Sequence, residues 1–560
     1  VTAGAGNDSL VDSPTNGTAS SGGDPGGVTV GNYATFNPLR DDRSGYTEAP
    51  TNGNLETNPR GDFVSTIPVT SGKYYWEITI DTQGDPGQSY IGIVDQSQIS
   101  TSGSRGWSTS QIAAIRNTGA FYGDGSTGTA VTFAAGDILG FALDADNNKL
   151  WISKNGTYVN SGNPTGGTGH AFSGMSFSAY LFIVSDSRTG NKYTLNAGQR
   201  AYNTAAPTGF KAWCTANLPT PTIADGSQYF DTKLYTGNDT QRDISGLSFS
   251  PDLVWIKKRN TTGNHSLMDA VRGATKNLVP NDTQGEGTEP GYLNAFNSNG
   301  FSLGASSIVN GNNDTYAAWA WDAGESTVTN NDGSIASQVR ANPSAGFSIV
   351  GYNGDNNAGD TVGHGLNAAV EVILIKGREN SFTWYVYHSS VGATKYLRLD
   401  TTNAESTGSG AFNNTAPTSS VFSLGQDNAV NDGNKDYIAY CFAPVEGYSA
   451  MGSYQGNGNA SGPFVYTGFR PAFIIGKRTD GGSDNWFMND SSRLGYNDEN
   501  LRLYPNLTNG EGASSDVNMD ILSNGFKLIS TNSNSNGSGA TYIYYAVAEN
   551  PFQANGGLAR

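Results

Sequence analysis

One strand-like segment occurs three times in this chain, and this repetition constrains the fold more than any other feature. The segment reads DLVWIKKR at residues 252–259, EVILIKGR at 371–378 and AFIIGKR at 472–478. Its lysines, Lys257, Lys376 and Lys477, recur after 119 and then 101 residues, which is the spacing of domains rather than of a solenoid repeat. The chain therefore contains three related copies of one folding unit.

Three further landmarks accompany each segment in a fixed order. A Tyr-x-Gly precedes it at Tyr235, Tyr352 and Tyr454. A turn and strand follow as SNGFSLG at 298–304, SSVFSLG at 419–425 and SNGFKLI at 523–529. An aromatic strand closes each copy as TYAAWAW at 315–321, DYIAYCF at 436–442 and TYIYYAV at 541–547.

The fold class that these patterns predict is all-β. The 74 glycines, 21 prolines and only 14% charged residues are typical of a protein built from strands and turns. We predict three homologous β-sandwich modules at residues 228–340, 341–449 and 450–552, each of about 110 residues and each closing its own apolar core.

The basic end of the repeated strand has two interpretations. A lysine that follows a buried strand is typical of a solvent-exposed tip that pairs with a carboxylate, and a glutamate follows each lysine at a comparable distance. The predicted structural ion pairs are Lys257 with Glu286, Lys376 with Glu405, and Lys477 with Glu511. The alternative is that the three tips form a repeated anion-binding site.

The charge and cysteine content exclude several classes of partner. A net charge of −17 repels nucleic acid and polyanionic glycans, so we expect no nucleic-acid partner. Cys214 and Cys441 fall in different predicted segments of the chain, and no disulfide between them is expected. Apolar runs such as ILGFAL at 138–143 are much shorter than the roughly 20 residues of a transmembrane helix, so we expect no membrane insertion. The chain begins at Val1 without a methionine or a basic apolar leader, which indicates a terminus that is processed or lies upstream.

Residues 42–202 carry a different strand pattern and form a further predicted domain. We expect a leader or attachment segment at 1–41, a linker at 203–227 and a tail at 553–560. Within the domain, Asn155 and Gly156 predict a type I′ hairpin. Its motifs are YYWEI at 74–78, IGI at 91–93, RGW at 105–107, GDILGFALD at 136–144, LWISKNG at 150–156 and NAGQR at 196–200.

In this order the motifs resemble a SPRY domain over about 160 residues. The resemblance implies a bent two-sheet β-sandwich that serves as a non-catalytic recognition platform whose loops hold the ligand. The segment STSQIAAIRNTG at 108–119 departs from the aromatic spacing of that family.

Aromatic side chains in loop-rich segments are candidates for ligand binding, because a ring face can stack on a sugar without needing charge. The predicted ligand-binding residues are Arg105, Trp107, Tyr122, Trp384, Tyr387 and Trp486. For each ring, packing in a core is the alternative.

The whole arrangement resembles tail-fibre-like virion proteins of marine tailed phages. The features that carry this resemblance are the leader GAGNDSLVDSPTNG, the SPRY-like domain, and repeats of the type FSPDLVWIKKR, DAVRGATK, GFSLG and AAWAW. The resemblance implies a virion structural protein at the particle surface that recognises host-surface glycans or another receptor, with several copies adding avidity. Other virion proteins and a homotrimer are the further expected partners. One alternative is a capsid decoration or assembly protein that binds neighbouring virion subunits.

Catalytic motifs are not visible in the sequence. The four histidines occupy non-equivalent places in their modules, and no nucleophile elbow, zinc-ligand spacing or phosphate loop occurs. The run from Asp144 to Asn148 resembles half of a calcium loop, but it lacks the glycine and the closing glutamate, so we predict a hairpin turn. We expect no enzyme activity, no cofactor and no metal. A polysaccharide depolymerase is the remaining enzymatic alternative, because two distant carboxylates can cleave a glycan without a local motif.

Overall fold

The computed structural model describes residues 33–39, 49–57, 60–84, 89–96, 109–123, 125–127, 131–186, 190–379, 381–481, 483–493, 497, 500–513 and 517–551. The regular secondary structure of this part of the chain is almost entirely β-strand, which confirms the predicted fold class. It divides into two compact units, the first reaching Thr220 and the second comprising residues 221–551. Within the described ranges no helix combines the length and the hydrophobicity that crossing a bilayer requires.

The first unit is a sandwich of two antiparallel sheets. Its strands are β1 (Gly61–Val64), β2 (Lys73–Thr82), β3 (Ser89–Asp95), β4 (Ile112–Arg116), β5 (Phe121–Gly123), β6 (Ile138–Asp144), β7 (Lys149–Lys154), β8 (Thr157–Tyr158), β9 (Phe172–Ser173), β10 (Tyr180–Asp186), β11 (Lys192–Asn196) and β12 (Lys211–Ala212). One sheet has the order β1-β10-β3-β4-β5, and the other has the order β11-β2-β6-β7-β8, with β12 beside β2 and β9 beside β7. Both sheets contribute to one apolar core, in which the Trp76 ring stacks on Phe141 at a centroid distance of 5.1 Å.

The predicted hairpin turn of the first unit is confirmed, but its predicted boundaries are wrong. Asn155 and Gly156 have φ values of 48° and 84°, as a type I′ turn requires, and they join β7 to β8. The predicted linker at 203–227 is wrong, because β12 pairs with β2 and Trp213 is fully buried in the core. The predicted leader is also too long, since Tyr33 is buried and forms a β-bridge with Cys214.

The second unit contains three copies of one strand arrangement. The first copy has β13 (Phe230–Thr236), β14 (Arg242–Ser245), β15 (Leu253–Lys258), β16 (Ser266–Asp269), β17 (Lys276–Asn277), β18 (Gly287–Thr288), β19 (Leu293–Asn297), β20 (Gly300–Leu303) and β21 (Thr315–Trp321). The second has β22 (Thr327–Asn330), β23 (Ser337–Asn342), β24 (Phe347–Asn353), β25 (Thr361–Gly363), β26 (Val372–Gly377), β27 (Tyr385–His388), β28 (Lys395–Arg398), β29 (Ser406–Thr407), β30 (Val421–Ser423) and β31 (Asp436–Phe442). The third has β32 (Ser449–Gln455), β33 (Phe464–Tyr466), β34 (Phe469–Arg478), β35 (Phe487–Asp490), β36 (Leu501–Arg502), β37 (Gly512–Ala513), β38 (Met519–Leu522), β39 (Gly525–Leu528) and β40 (Thr541–Pro551).

The main sheet has the same order in every copy. It runs β13-β21-β15-β16 in the first copy, β24-β31-β26-β27 in the second and β32-β40-β34-β35 in the third. The strand with the basic end therefore lies inside the sheet, as expected for a buried strand, and it pairs with the aromatic closing strand. The predicted module boundary at residue 340 cuts through β23, and the hairpin β22–β23 extends the sheet of the second copy only.

A four-residue helix occurs at the same place in each copy: α1 (Ser307–Asn310), α2 (Asn428–Asn431) and α3 (Ser533–Asn536). In the second copy, the hydroxyls of Tyr352 and Tyr437 donate to the Val430 and Asn428 carbonyl oxygens of α2 at 2.7 and 2.6 Å. The Tyr-x-Gly glycine is needed for close approach, because a Cβ at Gly354 would lie 2.5 Å from the Asp432 carbonyl oxygen. The equivalent tyrosines of the other copies make the same contacts, namely Tyr235, Tyr316, Tyr454 and Tyr542.

The three copies share one large core cluster, whereas the first and second copies also have private clusters, so the prediction that each copy closes its own core is only partly correct. Alternate residues of a strand point to opposite faces of its sheet. In β15, Val254 and Ile256 face a cluster private to the first copy, whereas Leu253 and Trp255 face a cluster that draws on all three copies. In the third copy even the residues of the second sheet, such as Phe526, belong to the shared cluster. The second unit is thus one folded body built from three like parts.

Candidate functional site

Equivalent contacts join the copies in a cyclic order, and we call each contact region between two copies a seam. Trp384 of the second copy donates from its indole Nε1 to the Val279 carbonyl oxygen of the first at 3.0 Å. Trp486 of the third copy donates to the Arg398 carbonyl oxygen of the second at 2.8 Å. The remaining seam therefore joins the first copy to the third, and the three seams close a ring.

The third–first seam uses a histidine in place of the tryptophan. His265 precedes its strand as Trp384 and Trp486 do, and its Nε2 donates to the Tyr504 carbonyl oxygen at 3.0 Å. The His265 Nδ1 accepts a hydrogen bond from the Trp255 indole at 2.8 Å, which fixes the neutral tautomer. Burial lowers the pKa of His265 well below its usual value, so the ring stays uncharged near neutral pH.

The repeated lysines lie in the seams with no solvent exposure. Each Nζ donates to a threonine carbonyl oxygen of the neighbouring copy: Lys376 to Thr283 at 2.6 Å, Lys257 to Thr508 at 3.3 Å, and Lys477 to Thr402 at 3.3 Å. A second carbonyl oxygen of its own copy accepts from each lysine, at Phe382, Lys258 and Arg478. Because burial disfavours the charged form, the pKa of each lysine falls to about 8.

The predicted lysine–glutamate ion pairs are wrong, because Glu286 and Glu511 pair with arginines instead of the repeated lysines. Arg378, two residues after Lys376, pairs across the first–second seam with Glu286 at 2.8 Å. Arg259 pairs across the third–first seam with Glu511 at 2.6 Å. Burial alone would raise the pKa of Glu286, but the hydrogen bond and charge of Arg378 hold it below its usual value. Lysine has a compact charge that two carbonyls can satisfy, whereas the planar guanidinium of arginine matches a carboxylate.

The second–third seam lacks this arginine–glutamate pair. Thr479 stands where the other copies have Arg259 and Arg378, so Glu405 pairs with Lys395 of its own copy instead. The backbone contact of this position is retained, because the Glu405 amide donates to the Thr479 carbonyl oxygen at 2.9 Å. The corresponding amide of Glu286 donates to the Arg378 carbonyl oxygen, and that of Glu511 donates to the Arg259 carbonyl oxygen, each at 2.6 Å.

A second ionic contact also distinguishes the seams. In the first copy, Asp269 and Arg272 form a fully buried pair, and Asp269 accepts from the Tyr440 hydroxyl of the second copy at 2.7 Å. In the third copy, Asp490 pairs with Arg493 and accepts from the Trp319 indole of the first copy at 3.0 Å. The second copy has His388 and Val391 at these places. Its His388 contacts the Tyr544 carbonyl oxygen at 3.1 Å, and burial lowers the pKa of His388 to about 4.

The shared core of the second unit contains a small apolar cavity of about 40 Å³. Side chains of all three copies line it, among them Trp255, Trp384 and Trp486. The volume is of the order of a few water molecules, and the lining offers almost no polar surface. We therefore treat this cavity as a packing void of the core.

The ligand-binding residues predicted in the second unit are buried. Trp384, Tyr387 and Trp486 are at most 3% exposed, so none of them can stack on an external sugar in this structure. Their alternative assignment, packing in a core, applies. Arg105 and Trp107 lie outside the described residues. Tyr122 is half-buried on β5 of the first unit.

Tyr122 belongs to a cation–aromatic stack on the five-stranded sheet of the first unit. Arg116 of β4 lies opposite Tyr90 of β3, and its guanidinium carbon is 5.1 Å from the Tyr90 ring centroid and 4.5 Å from the Tyr122 centroid. Nη2 of Arg116 donates to the Tyr90 hydroxyl at 3.2 Å. Tyr90 and Arg116 share the sheet face of Val94 and Ala114, which is opposite the sandwich core.

This arrangement presents two half-buried rings and a cation that is held in place by them. A guanidinium stacked on aromatic faces keeps its in-plane N–H groups available as donors. Such a surface can bind a flat or polyhydroxylated ligand by stacking and hydrogen bonding. Among the described residues, no group of three or more His, Cys, Asp or Glu side chains is placed to hold a metal ion.

Sequence reasoning missed the seam residues that bond to carbonyls. His265, Trp384 and Trp486 follow the repeated lysines Lys257, Lys376 and Lys477 by eight, eight and nine residues, but a histidine and two tryptophans do not form a recognisable sequence motif. The three threonines Thr283, Thr402 and Thr508 recur three residues before Glu286, Glu405 and Glu511, but a side-chain pattern does not predict that their backbone oxygens accept the lysine hydrogen bonds. Alignment of the copies on β16, β27 and β35 would have revealed the shared position.

Comparison with known families gives one matching family model in each of the two units. Residues 73–200 match the SPRY domain model. Residues 225–551 match the model described as Domain of unknown function (DUF7483). That match covers more than half of the chain, and the protein belongs to this family.

Solved structures similar to the chain include two SPRY domains. The SPRY domain of human HERC1 is 19% identical, covers 29% of this chain and 96% of its own, and gives a TM-score of 0.23. The PSpry domain of TRIM65 is 11% identical, covers 29% of this chain and 90% of its own, and gives a TM-score of 0.22. No curated protein matched the chain.

Proposed function

We propose that this protein is a non-catalytic recognition component of a phage particle, in which the SPRY-like first unit binds a host-surface glycan. The observation that carries the proposal is the half-buried stack of Tyr90, Arg116 and Tyr122 on the sheet face opposite the sandwich core. The phage assignment is supported by the sequence resemblance to tail-fibre-like virion proteins. A homotrimer is part of this proposal, and the mass of the chain in solution tests it.

The second unit serves as structural support in this proposal. Its aromatic and basic side chains are used in the seams, where they bond to carbonyl oxygens of a neighbouring copy. Side chains that are committed to internal contacts are unavailable for an external ligand. This supports the part of the proposal that assigns recognition to the first unit rather than to the three copies.

The chemistry of the stack favours a glycan without a high charge. The ring faces supply stacking surface, and the Arg116 guanidinium supplies donors to sugar hydroxyls. The net charge of −17 opposes approach of a polyanionic chain. We therefore propose a neutral or weakly charged glycan, bound weakly at each site and held by several copies on one particle.

A cell-adsorption assay tests the proposal on the full chain. We expect the labelled protein to bind host cells, and we expect Arg116→Ala and Tyr122→Ala each to weaken binding about tenfold, which corresponds to about 1.4 kcal/mol. Lys211→Ala is the control, since it removes an exposed basic side chain elsewhere on the first unit. Periodate oxidation of the cell-surface glycans should abolish adsorption.

Two results would overturn the proposal. Adsorption that persists unchanged in both stack variants would exclude this site. Absence of adsorption, with immunoelectron microscopy placing the protein between capsid subunits, would favour a decoration or assembly role instead.

A further inference from the structure

The three seams of the second unit share a common set of backbone-directed bonds but differ in their charged contacts. Every seam has a lysine ammonium on a threonine carbonyl and an aromatic or imidazole N–H on a backbone oxygen. Only the first–second and third–first seams add an arginine–glutamate pair, Arg378 with Glu286 and Arg259 with Glu511. Among the described residues, no ion pair crosses the second–third seam.

The buried aspartate contacts follow the same division. Asp269 accepts a hydrogen bond across the first–second seam, and Asp490 accepts one across the third–first seam. At the second–third seam the equivalent residue is the neutral His388. Hydrogen bonds to a charged acceptor are stronger than those between neutral groups. The second–third seam therefore relies on neutral hydrogen bonds and on apolar contacts such as that between Phe442 and Tyr545, whose centroids are 4.7 Å apart.

The third–first and first–second seams also have contacts beyond the arginine–glutamate pairs and the buried aspartates. The third–first seam is crossed by no covalent link between neighbouring copies, yet it gains packing of Tyr229 against Tyr448, with centroids 6.0 Å apart, and of Ile223 in the shared core. The first–second seam gains a further pair, Arg340 with Asp252 at 2.6 Å. Both seams are thus reinforced beyond the contacts common to all three.

We propose that the ring of the second unit has a built-in opening point at the seam between the second and third copies. Separation there breaks the fewest charged contacts, while the short connection after Phe442 keeps the two copies attached. Opening exposes the inner apolar surface that contains Phe442, Tyr544 and Tyr545. The other two seams stay closed during this motion.

Three equivalent backbone amides report directly on the three seams. The amides of Glu286, Glu511 and Glu405 each donate across their own seam and become free to exchange only when that seam opens. We expect hydrogen exchange at Glu405 to be at least about tenfold faster than at the other two positions in the full chain. Mass spectrometry on peptides that contain each amide, corrected for intrinsic rates, measures this ratio.

Grafting the missing arginine tests the cause. In Thr479→Arg the guanidinium should pair with Glu405 as Arg378 pairs with Glu286, and exchange at Glu405 should slow about tenfold. The double variant Thr479→Arg with Glu405→Gln should lose that gain. If the graft disturbs folding, Arg378→Thr provides the reverse test, and we expect exchange at Glu286 to rise to the rate of Glu405. Equal exchange at all three amides in the unmodified chain, or a graft that folds but leaves the ratio unchanged, would overturn the proposal.

Discussion

The buried ammonium groups at the seams bond to backbone carbonyl oxygens rather than to carboxylates. Lys257, Lys376 and Lys477 illustrate this, because each ammonium is buried and bonds to carbonyl oxygens of two copies. A buried charge without a carboxylate partner carries a desolvation cost that a carbonyl offsets only in part. The cost shows itself as the lowered pKa of these lysines.

Stability of the second unit should rise between pH 7 and pH 9 because of these lysines. Their pKa is about 8 in the folded chain and 10.5 in the unfolded chain, so in this window the unfolded chain binds more protons and the free energy of unfolding increases with pH. The expected gain is about 1 kcal/mol per lysine. Urea unfolding at the two pH values measures it.

Replacement of the three lysines by methionine should remove most of this rise. It should also raise stability at pH 7, because the desolvation cost of the charges disappears. Lys435→Met is the matched control, since the Lys435 side chain is 38% exposed and should not change the pH slope. A triple variant that retains the full rise would contradict this explanation.

At the residue scale the sequence identified the seam lysines and glutamates but not their partners. Lys257 and Glu286 stand out because they recur, yet recurrence reveals a shared environment and not a contact. The partner of Glu286 is Arg378 of the next copy, and no spacing within one copy can show a contact between copies. The aromatic candidates Trp384 and Trp486 failed as ligand sites for the same reason, because the surface that each would have exposed is covered by a neighbour.

At the scale of elements, each copy is fastened by one short helix and a buried asparagine at its end. In α2 the Asn431 Nδ2 donates to the Gly425 and Asn357 carbonyl oxygens at 3.0 and 3.1 Å, and its Oδ1 accepts from the Asp355 amide at 3.0 Å. Asn310 and Asn536 hold equivalent loops in the other copies. A helix of four residues is too short to be stable alone, so these bonds maintain it.

Asn431→Asp should destabilise the second unit by about 2–3 kcal/mol. The substitution keeps the size of the side chain but replaces the Nδ2 donors by an oxygen that faces two carbonyl oxygens. Chemical denaturation measures the loss. Asn403→Asp is the matched control, because Asn403 is exposed in a loop of the same copy and should change stability by less than about 0.5 kcal/mol. An equal loss in both variants would show that added charge, rather than the buried network, is responsible.

The elements themselves were largely predictable from sequence. The repeated strands, the Tyr-x-Gly turns and the aromatic closing strands lie where their patterns indicate, because alternation and turn residues are local signals. The hairpin β22–β23 was assigned to the wrong copy, since a strand's sequence does not reveal which sheet edge it joins. Likewise, β12 looked like a linker because two residues that pair with β2 give no periodic pattern.

For the whole molecule, the shared core makes the second unit one cooperative body. The inner faces of the three main sheets bury residues such as Trp319, Tyr440 and Phe473 against each other. A single copy in isolation would expose this face to water and lose the hydrophobic stabilisation that it provides. The apolar pattern of a strand shows that both of its faces are covered, but it does not show which part of the chain covers them. The sequence therefore predicted three independent domains.

Calorimetry distinguishes one body from three domains. We expect residues 221–551 to unfold in a single transition whose calorimetric and van't Hoff enthalpies agree, as a two-state body requires. The fragment 325–448, which contains all strands of the second copy, should not fold as a monomer. Three separable transitions, or a monomeric 325–448 fragment with cooperative unfolding, would show that the copies are autonomous.

Joining the copies in one polypeptide has a consequence for how the seams can vary. In an assembly of three identical chains, any substitution would alter all interfaces together. Here Thr479 and His388 change only the second–third seam, and the hairpin β22–β23 is present in the second copy alone. Because the three copies belong to one polypeptide, one seam can differ from the other two while the overall arrangement stays threefold. A symmetric oligomer of identical short chains could not contain such a difference.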